Sequence, residues 1–313
     1  MAATAKVISS SWVSFLKDAL LLPTRNAKLF VPVVLLLTIS TFLLQIINLF
    51  CIQPLTIGIL LHLKEIKNMD PSSPDYAKLM SEIFKEAREL VIISIIIMII
   101  SLVCFYTNQI IAFFAASTTY SGDRYSLPEL VSKVILKGRR LMGPLITIAM
   151  VSVLNILCLF ILAVLLQLVM RHLGVLYMLV LFVFPFLVFL YLNSVFFVAI
   201  AVSVADTEHR GVAALQQAWQ LMTRVSRKQG FVLVVLVHLV AMVPYPLYMV
   251  ALGYSKKSMP MGLALLCVYA LLLGLVELFN FAAAMVYYYQ AMESKVVMEH
   301  DYVMVPTGEA TTV

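Results

Sequence analysis

Six long apolar runs, separated by short polar stretches, set the pattern of the chain. They cover Leu29–Phe50, Leu90–Ala116, Leu141–Val169, Val175–Val204, Phe231–Leu252 and Met261–Tyr288. The first can continue, bent at Pro54, to Leu61. A membrane span needs about 20 predominantly apolar residues. A backbone in lipid must satisfy its own polar groups, so each run is predicted to be a helix. The runs are too continuous for the alternation of a transmembrane barrel. Pro185, Pro244 and Pro246 fall inside the fourth and fifth spans and are expected to kink them.

The connections are patterned too. Trp12, Phe15, Leu16, Ala19 and Leu20 recur at helical spacing before the first span, with Lys17 opposite. Tyr76, Leu79, Met80, Ile83, Phe84 and Ala87 do so before the second, and Leu127, Leu130, Val131, Val134 and Ile135 before the third. Val212, Leu215, Trp219 and Met222 repeat it before the fifth. Such helices lie in the interface plane with the apolar side down. Three of them carry or end in basic residues. Lys133, Lys137, Arg139, Arg140, Arg224, Arg227 and Lys228 are the candidate contacts to anionic lipid headgroups. The alternative is that these helices are struts packed against the bundle.

The predicted fold is therefore an all-α integral membrane protein with six transmembrane helices and three or four interfacial amphipathic helices. Residues 1–28 form an amphipathic N-terminal segment, 289–313 a disordered tail, and 29–288 the membrane domain. Composition agrees. Of 313 residues 63% are hydrophobic and 12% charged, against about 45–50% and 25% in an average soluble domain. A water-soluble core cannot bury that excess, which excludes a soluble enzyme or a nucleic-acid binder. The net charge of +6 is unevenly placed. Fourteen of the 22 Lys and Arg lie on the side holding both termini. By the positive-inside rule that side is the cytoplasm. The membrane is expected to be an endomembrane, the endoplasmic reticulum, or the plasma membrane.

Intramembrane polar residues are where chemistry is first sought, because burying them is costly. Glu277 sits inside the sixth span with Asn280 on the same face, and His238 inside the fifth. Counted inward, His238 and Glu277 reach similar depths, so a hydrogen-bonded pair that titrates or binds a cation is one reading. An inter-helix clasp worth about 1 kcal/mol or less is another, and a simply protonated Glu277 a third. Gln45, Asn48, Gln53, Asn108, Gln109, Asn155, Gln167 and Asn193 are spread out and read as helix–helix glue. No HExxH, phosphate loop or GxSxG occurs. The tail run Glu299, His300 and Asp301 reads as solvated. Neither a metal, a cofactor nor a catalytic set is expected.

Two stretches carry a family resemblance. VSVADTEHRGVAALQQAWQLMTRVSRKQGF (Val202–Phe231) resembles the region after the fourth span in a plant family of polytopic membrane proteins of unknown function. Val202-Ser203-Val204, Gly211, Ala214-Leu215, Ala218 and Leu221 fall in the corresponding places. The family's Glu is replaced by a displaced Asp206 or Glu208. Thr119–Pro144 is similar to a second segment through Arg139-Arg140-Leu141-Met142, without the usual nearby Trp, and Tyr287, Tyr288 and Tyr289 close the sixth span similarly. A more distant likeness is to the membrane domain of bacterial glycerophosphodiester phosphodiesterases, which carries no catalytic residues. The resemblance implies a multi-pass helical protein of plant membranes. The expected function is non-enzymatic, through lipid or protein contacts in membrane organisation or trafficking. The alternative is a small-solute or ion transporter or channel using the His238–Glu277 region. Membrane lipids, other membrane proteins or a second copy of the chain are the expected partners.

Overall fold

The computed structural model describes residues 14–67, 69–70, 73–136, 139–172, 175–206, 208–255 and 257–303, without the side chains at 134–136, 139–140, 170–172, 175–180 and 298–303. Among them there is no strand. The helices are α1 Ser14–Arg25, α2 Ala27–Ile47, α3 Gln53–Ile66, α4 Pro74–Tyr120, α5 Leu127–Leu136, α6 Arg139–His172, α7 Val175–Ala205, α8 Val212–Gln220, α9 Arg227–Met242, α10 Tyr245–Ser255 and α11 Met259–Val303. Among the described residues, six segments are long and apolar enough to cross a membrane: Ala27–Ile66, Pro74–Tyr120, Leu141–Val169, Leu181–Ala205, Arg227–Ser255 and Met259–Val297. The expected all-α, six-span architecture is the one observed.

Local chemistry explains the joints. Pro54 has no N–H to give, and α2 passes into α3 through a wide π turn, Asn48–Ile52, in which the Gln53 N–H reaches back to the Asn48 carbonyl. Pro244 divides the fifth span into α9 and α10, a full break where a kink was expected. The polar stretch before the second span is not a separate helix. It is the first part of α4, 47 residues long. Ser73 starts α4 by accepting the Tyr76 N–H at 3.1 Å. Ser126 starts α5, its N–H and hydroxyl both donating to the Glu129 carboxylate at 2.8 and 2.9 Å. Those bonds hold the Glu129 carboxyl below its usual range. Helix α11 continues to Val303, so helix covers the first part of the stretch read as a tail.

The chain divides into two compact units. The first comprises residues up to Val33, Ile110–Val243 and Val276 onward. Its centre is α11, where every residue from Asn280 to Tyr288 is buried. Phe113, whose ring meets Phe281, Val195, Ala199, Ala201, Ala214, Ala218 and Leu233 are buried in the same unit. Helix α1 buries Phe15, Ala19 and Leu22 completely and turns Lys17 outward. Helix α8 buries Ala214, Gln217 and Ala218. It starts at Gly211, whose φ of 55° and ψ of −118° suit only a residue without a Cβ. The Gly211 N–H donates to the Thr147 hydroxyl at 2.9 Å, which donates in turn to the Gly143 carbonyl at 3.0 Å. The α7–α8 turn is thereby fastened to α6.

The second unit holds Val34–Gln109 and Pro244–Leu275. Its small core is Leu49, Ala251 and Leu266, with Phe42, Tyr248, Leu252, Leu263 and Leu265 against it. Gly274 lets α11 approach α2 closely, since a Cβ there would stand 2.9 Å from the Thr38 hydroxyl. Small residues at helix crossings are how spans associate where apolar burial alone gives no drive. Asn48 donates to the Tyr248 hydroxyl at 3.4 Å, the expected glue.

Candidate functional site

The polar residues picked from the fifth and sixth spans all fall in the first unit. Consecutive spans run antiparallel, and Gly230 on α9 fixes their register against α11. A Cβ on Gly230 would lie 3.2 Å from the Tyr287 hydroxyl. Eight residues along each helix is about 12 Å. That step carries Gly230 to His238 and Tyr287 to Phe279. His238 therefore lies within about one turn of Glu277 and Asn280 in level.

The pairing read from the sequence is not made. His238 and Glu277 share no hydrogen bond or ion pair. The His238 Nδ1 lies 2.8 Å from the Val234 carbonyl one turn back on its own helix, and a ring tied there is held along α9. Its Nε2 is enclosed without a partner, and so is the Oδ1 of Asn280, a residue only 7% exposed. Immediately after Asn280 comes Phe281, whose ring meets Phe113 at 5.0 Å and Phe197 at 5.5 Å. Phe113 and Phe197 are 5.2 Å apart. Three aromatic rings thus close on one another beside Asn280, at a spacing typical of stabilising ring pairs.

A second polar group, which the sequence reading missed, gathers at the end of the spans nearer the termini. The Tyr289 hydroxyl is 2.9 Å from that of Ser117, and its ring stacks on Tyr120 at 4.6 Å. Gln290 donates to Asp18 at 2.9 Å, and Asp18 faces Arg25 at 3.9 Å. The Asn26 amide donates to the Tyr125 carbonyl at 3.2 Å. These contacts bind α1 to α11 and to the α4–α5 turn. The signal was present as tyrosines closing the second and sixth spans, where aromatic residues mark the bilayer edge. The loop before α8 is fixed by Asp206, which accepts the Glu208 N–H at 2.8 Å and faces the His209 Nδ1 at 2.7 Å. Burial works to raise the Asp206 carboxyl, but these bonds outweigh it and hold the group below its ordinary value.

The candidate headgroup contacts are surface residues where they are described. Lys133, Arg224, Arg227 and Lys228 are exposed, and the Lys133 ammonium sits 3.8 Å over the Tyr125 ring. Lys137 and the side chains of Arg139 and Arg140 lie outside the described residues, as do those of Glu299, His300 and Asp301. Near the same cations Trp219 is 46% exposed and Phe231 67%, and Trp219 meets Tyr191 edge-on at 6.0 Å.

No curated protein and no solved structure matches the chain. The signature of one family, described as "Domain of unknown function (DUF8558)", matches residues 9–292. That span includes five of the six membrane-compatible segments whole and the sixth up to residue 292, so the chain belongs to the DUF8558 family.

Proposed function

We propose that this is a non-enzymatic multi-pass membrane protein acting through lipid or protein contacts in membrane organisation or trafficking. The observation that carries the reading is the packing beside Asn280. The rings of Phe113, Phe197 and Phe281 close on one another where Asn280 is buried, an apolar setting that favours packing over a polar path there. The surface supports it as well. α1 and α8 bury one face in the first unit and leave Leu20, Leu21, Val212 and Trp219 exposed, beside Lys17, Arg224 and Arg227. Apolar and aromatic side chains next to cations match the edge of an anionic leaflet. Both termini are assigned to the cytoplasm of an endomembrane or plasma membrane, with lipids, other membrane proteins or a second copy as partners.

The runner-up, a small-solute or ion transporter, draws on the unpartnered His238 Nε2 and Asn280 Oδ1 inside the fifth and sixth spans. Reconstitution separates the two. Purified protein in liposomes should pass none of a panel of ions and small metabolites. Flux abolished by Glu277→Gln or His238→Ala would overturn the proposal in favour of transport. In phosphatidylcholine nanodiscs, adding phosphatidylserine should slow amide exchange in α1 and α8, and an unchanged rate there counts against the lipid reading.

A further inference from the structure

One face of α9 carries a cation followed by an apolar track. Arg227, Phe231, Val235, Leu239 and Met242 recur at helical spacing, so they share one broad face. Each of them is exposed, whereas Gly230 and Leu233 are buried on the other side of the helix. Arg227 opens the helix and stands one turn, about 6 Å, before Phe231, where the apolar run begins. Phe231 to Met242 covers about 16 Å along the axis. One leaflet supplies half of a hydrocarbon core about 30 Å thick. The track therefore runs the depth of a single leaflet, with the cation at its polar edge.

The head of the track has neighbours suited to an anion. Helix α7 packs against both α8 and α9, all within the first unit. The Trp219 ring, 46% exposed, meets the Tyr191 ring edge-on at 6.0 Å. Arg227 is close enough for its charge to act on the Tyr191 hydroxyl. Tyr191, Trp219 and Arg227 thus stand at one corner. No ion pair is made to Arg227 among the described residues, and no Asp or Glu occurs between Glu208 and Glu277. Helices α8 and α9 therefore bring cations to this corner and no acid of their own. Guanidinium and indole N–H groups are both donors that a phosphate oxygen can accept.

We propose that the α8–α9 corner holds one anionic phospholipid, its phosphate on the Arg227 guanidinium and the Trp219 indole, and one acyl chain lying along Phe231, Val235 and Leu239. Charge and length together name this occupant. A soluble phosphate would use the cation and leave the apolar track unfilled. A second copy packed through this face about an axis normal to the membrane would set Arg227 against Arg227. Anionic lipids are concentrated in the cytoplasmic leaflet, and Arg227 precedes the fifth span on the side that holds the termini. The proposal rests on the lipid-contact reading above and names the lipid class and its seat.

Trp219 provides the test. The only other tryptophan is Trp12, so Trp12→Phe leaves Trp219 as the sole indole emitter. The full chain is reconstituted in phosphatidylcholine bilayers doped with phosphatidylglycerol or phosphatidylcholine bearing brominated acyl chains, at equal fractions. Brominated phosphatidylglycerol should quench Trp219 as if enriched about fivefold around it, the factor for one near-surface cation. Arg227→Gln should remove that excess. Lys133→Gln changes a cation held over the Tyr125 ring and should keep it. Soluble glycerol phosphate, which has no acyl chains, should not displace it. Equal quenching by the two lipids, an excess that survives Arg227→Gln, or one displaced by glycerol phosphate would overturn the proposal. So would a Trp219 that neither lipid quenches, as burial against a second copy requires. The exchange response of α1 to phosphatidylserine is measured separately and persists if only this site fails.

Discussion

Truncating Phe15 to alanine should release α1. This helix has 12 residues, short enough that it would be marginal alone in water. Its hold on the first unit comes from Phe15, Ala19 and Leu22, each fully buried, and Phe15 is the largest of them. Its ring meets Tyr287 edge-on, centroids 6.1 Å apart at 69°. Removing a buried phenylalanine ring costs about 3–5 kcal/mol, of which about 0.5–1.5 kcal/mol is the ring pair. An undocked α1 can rest on the bilayer surface, so the lower figure applies. About 3 kcal/mol raises the undocked population about 150-fold. Trypsin reads this directly at Lys17 and Arg25, since cleavage follows the open population when reclosing is fast. Leu20→Ala is the control. Leu20 is 63% exposed, and its truncation should stay within about 0.5 kcal/mol, or about twofold in rate. Equal cleavage of the two variants, with the remaining fold intact, would refute the claim that α1 is docked through Phe15.

Gly262→Ala should lower the melting temperature markedly, because the new Cβ would fall 2.6 Å from the Ser255 Cα and 2.8 Å from its backbone nitrogen, an overpacking of about 1–3 kcal/mol. A variant that melts with the native protein would contradict the tight α10–α11 turn. Tyr287→Phe should leave the melting temperature unchanged or raise it, since the Tyr287 hydroxyl is buried without a partner and its loss forfeits no bond; clear destabilisation would reveal a bonded hydroxyl. Asp206→Ala should destabilise near neutral pH. The folded-state value lies below the ordinary 3.8, so the contribution is fully present above that value and fades as pH falls through the depressed one. A difference between Asp206→Ala and the native protein that persists below that range would count against the Asp206 bonds as its source.

The span positions were legible because apolar runs of that length have few alternatives in structure. Joints were legible only where a residue dictates them. Pro54 marked the α2–α3 joint and Pro244 the α9–α10 break. The unbroken α4 was also open to reading, since no proline or glycine occurs between Asp75 and Tyr120, but the change from polar to apolar suggested a boundary that the backbone does not make. The caps at Ser73 and at Ser126-Leu127-Pro128-Glu129 follow a known pattern that passed unread. For His238 and Glu277, counting residues placed them inside the fifth and sixth spans, where they are found. It could not tell that the His238 ring would turn to its own helix, because that depends on rotamer and neighbours rather than on spacing.

The continuity of α4 also bears on how the protein meets membranes of different thickness. Its apolar stretch, Leu90–Ala116, is about 40 Å long and exceeds the roughly 30 Å of hydrocarbon by a wide margin. With no proline or glycine at which to kink, tilting or a local thickening of the bilayer is the way such a helix meets the mismatch. The polar turns from Pro74 to Glu89 are rigidly joined to the same rod and reach about 24 Å farther. Any change in bilayer thickness that alters the tilt of this part of α4 would move that polar arm with it, so the arm's position would report the thickness of the bilayer the helix crosses.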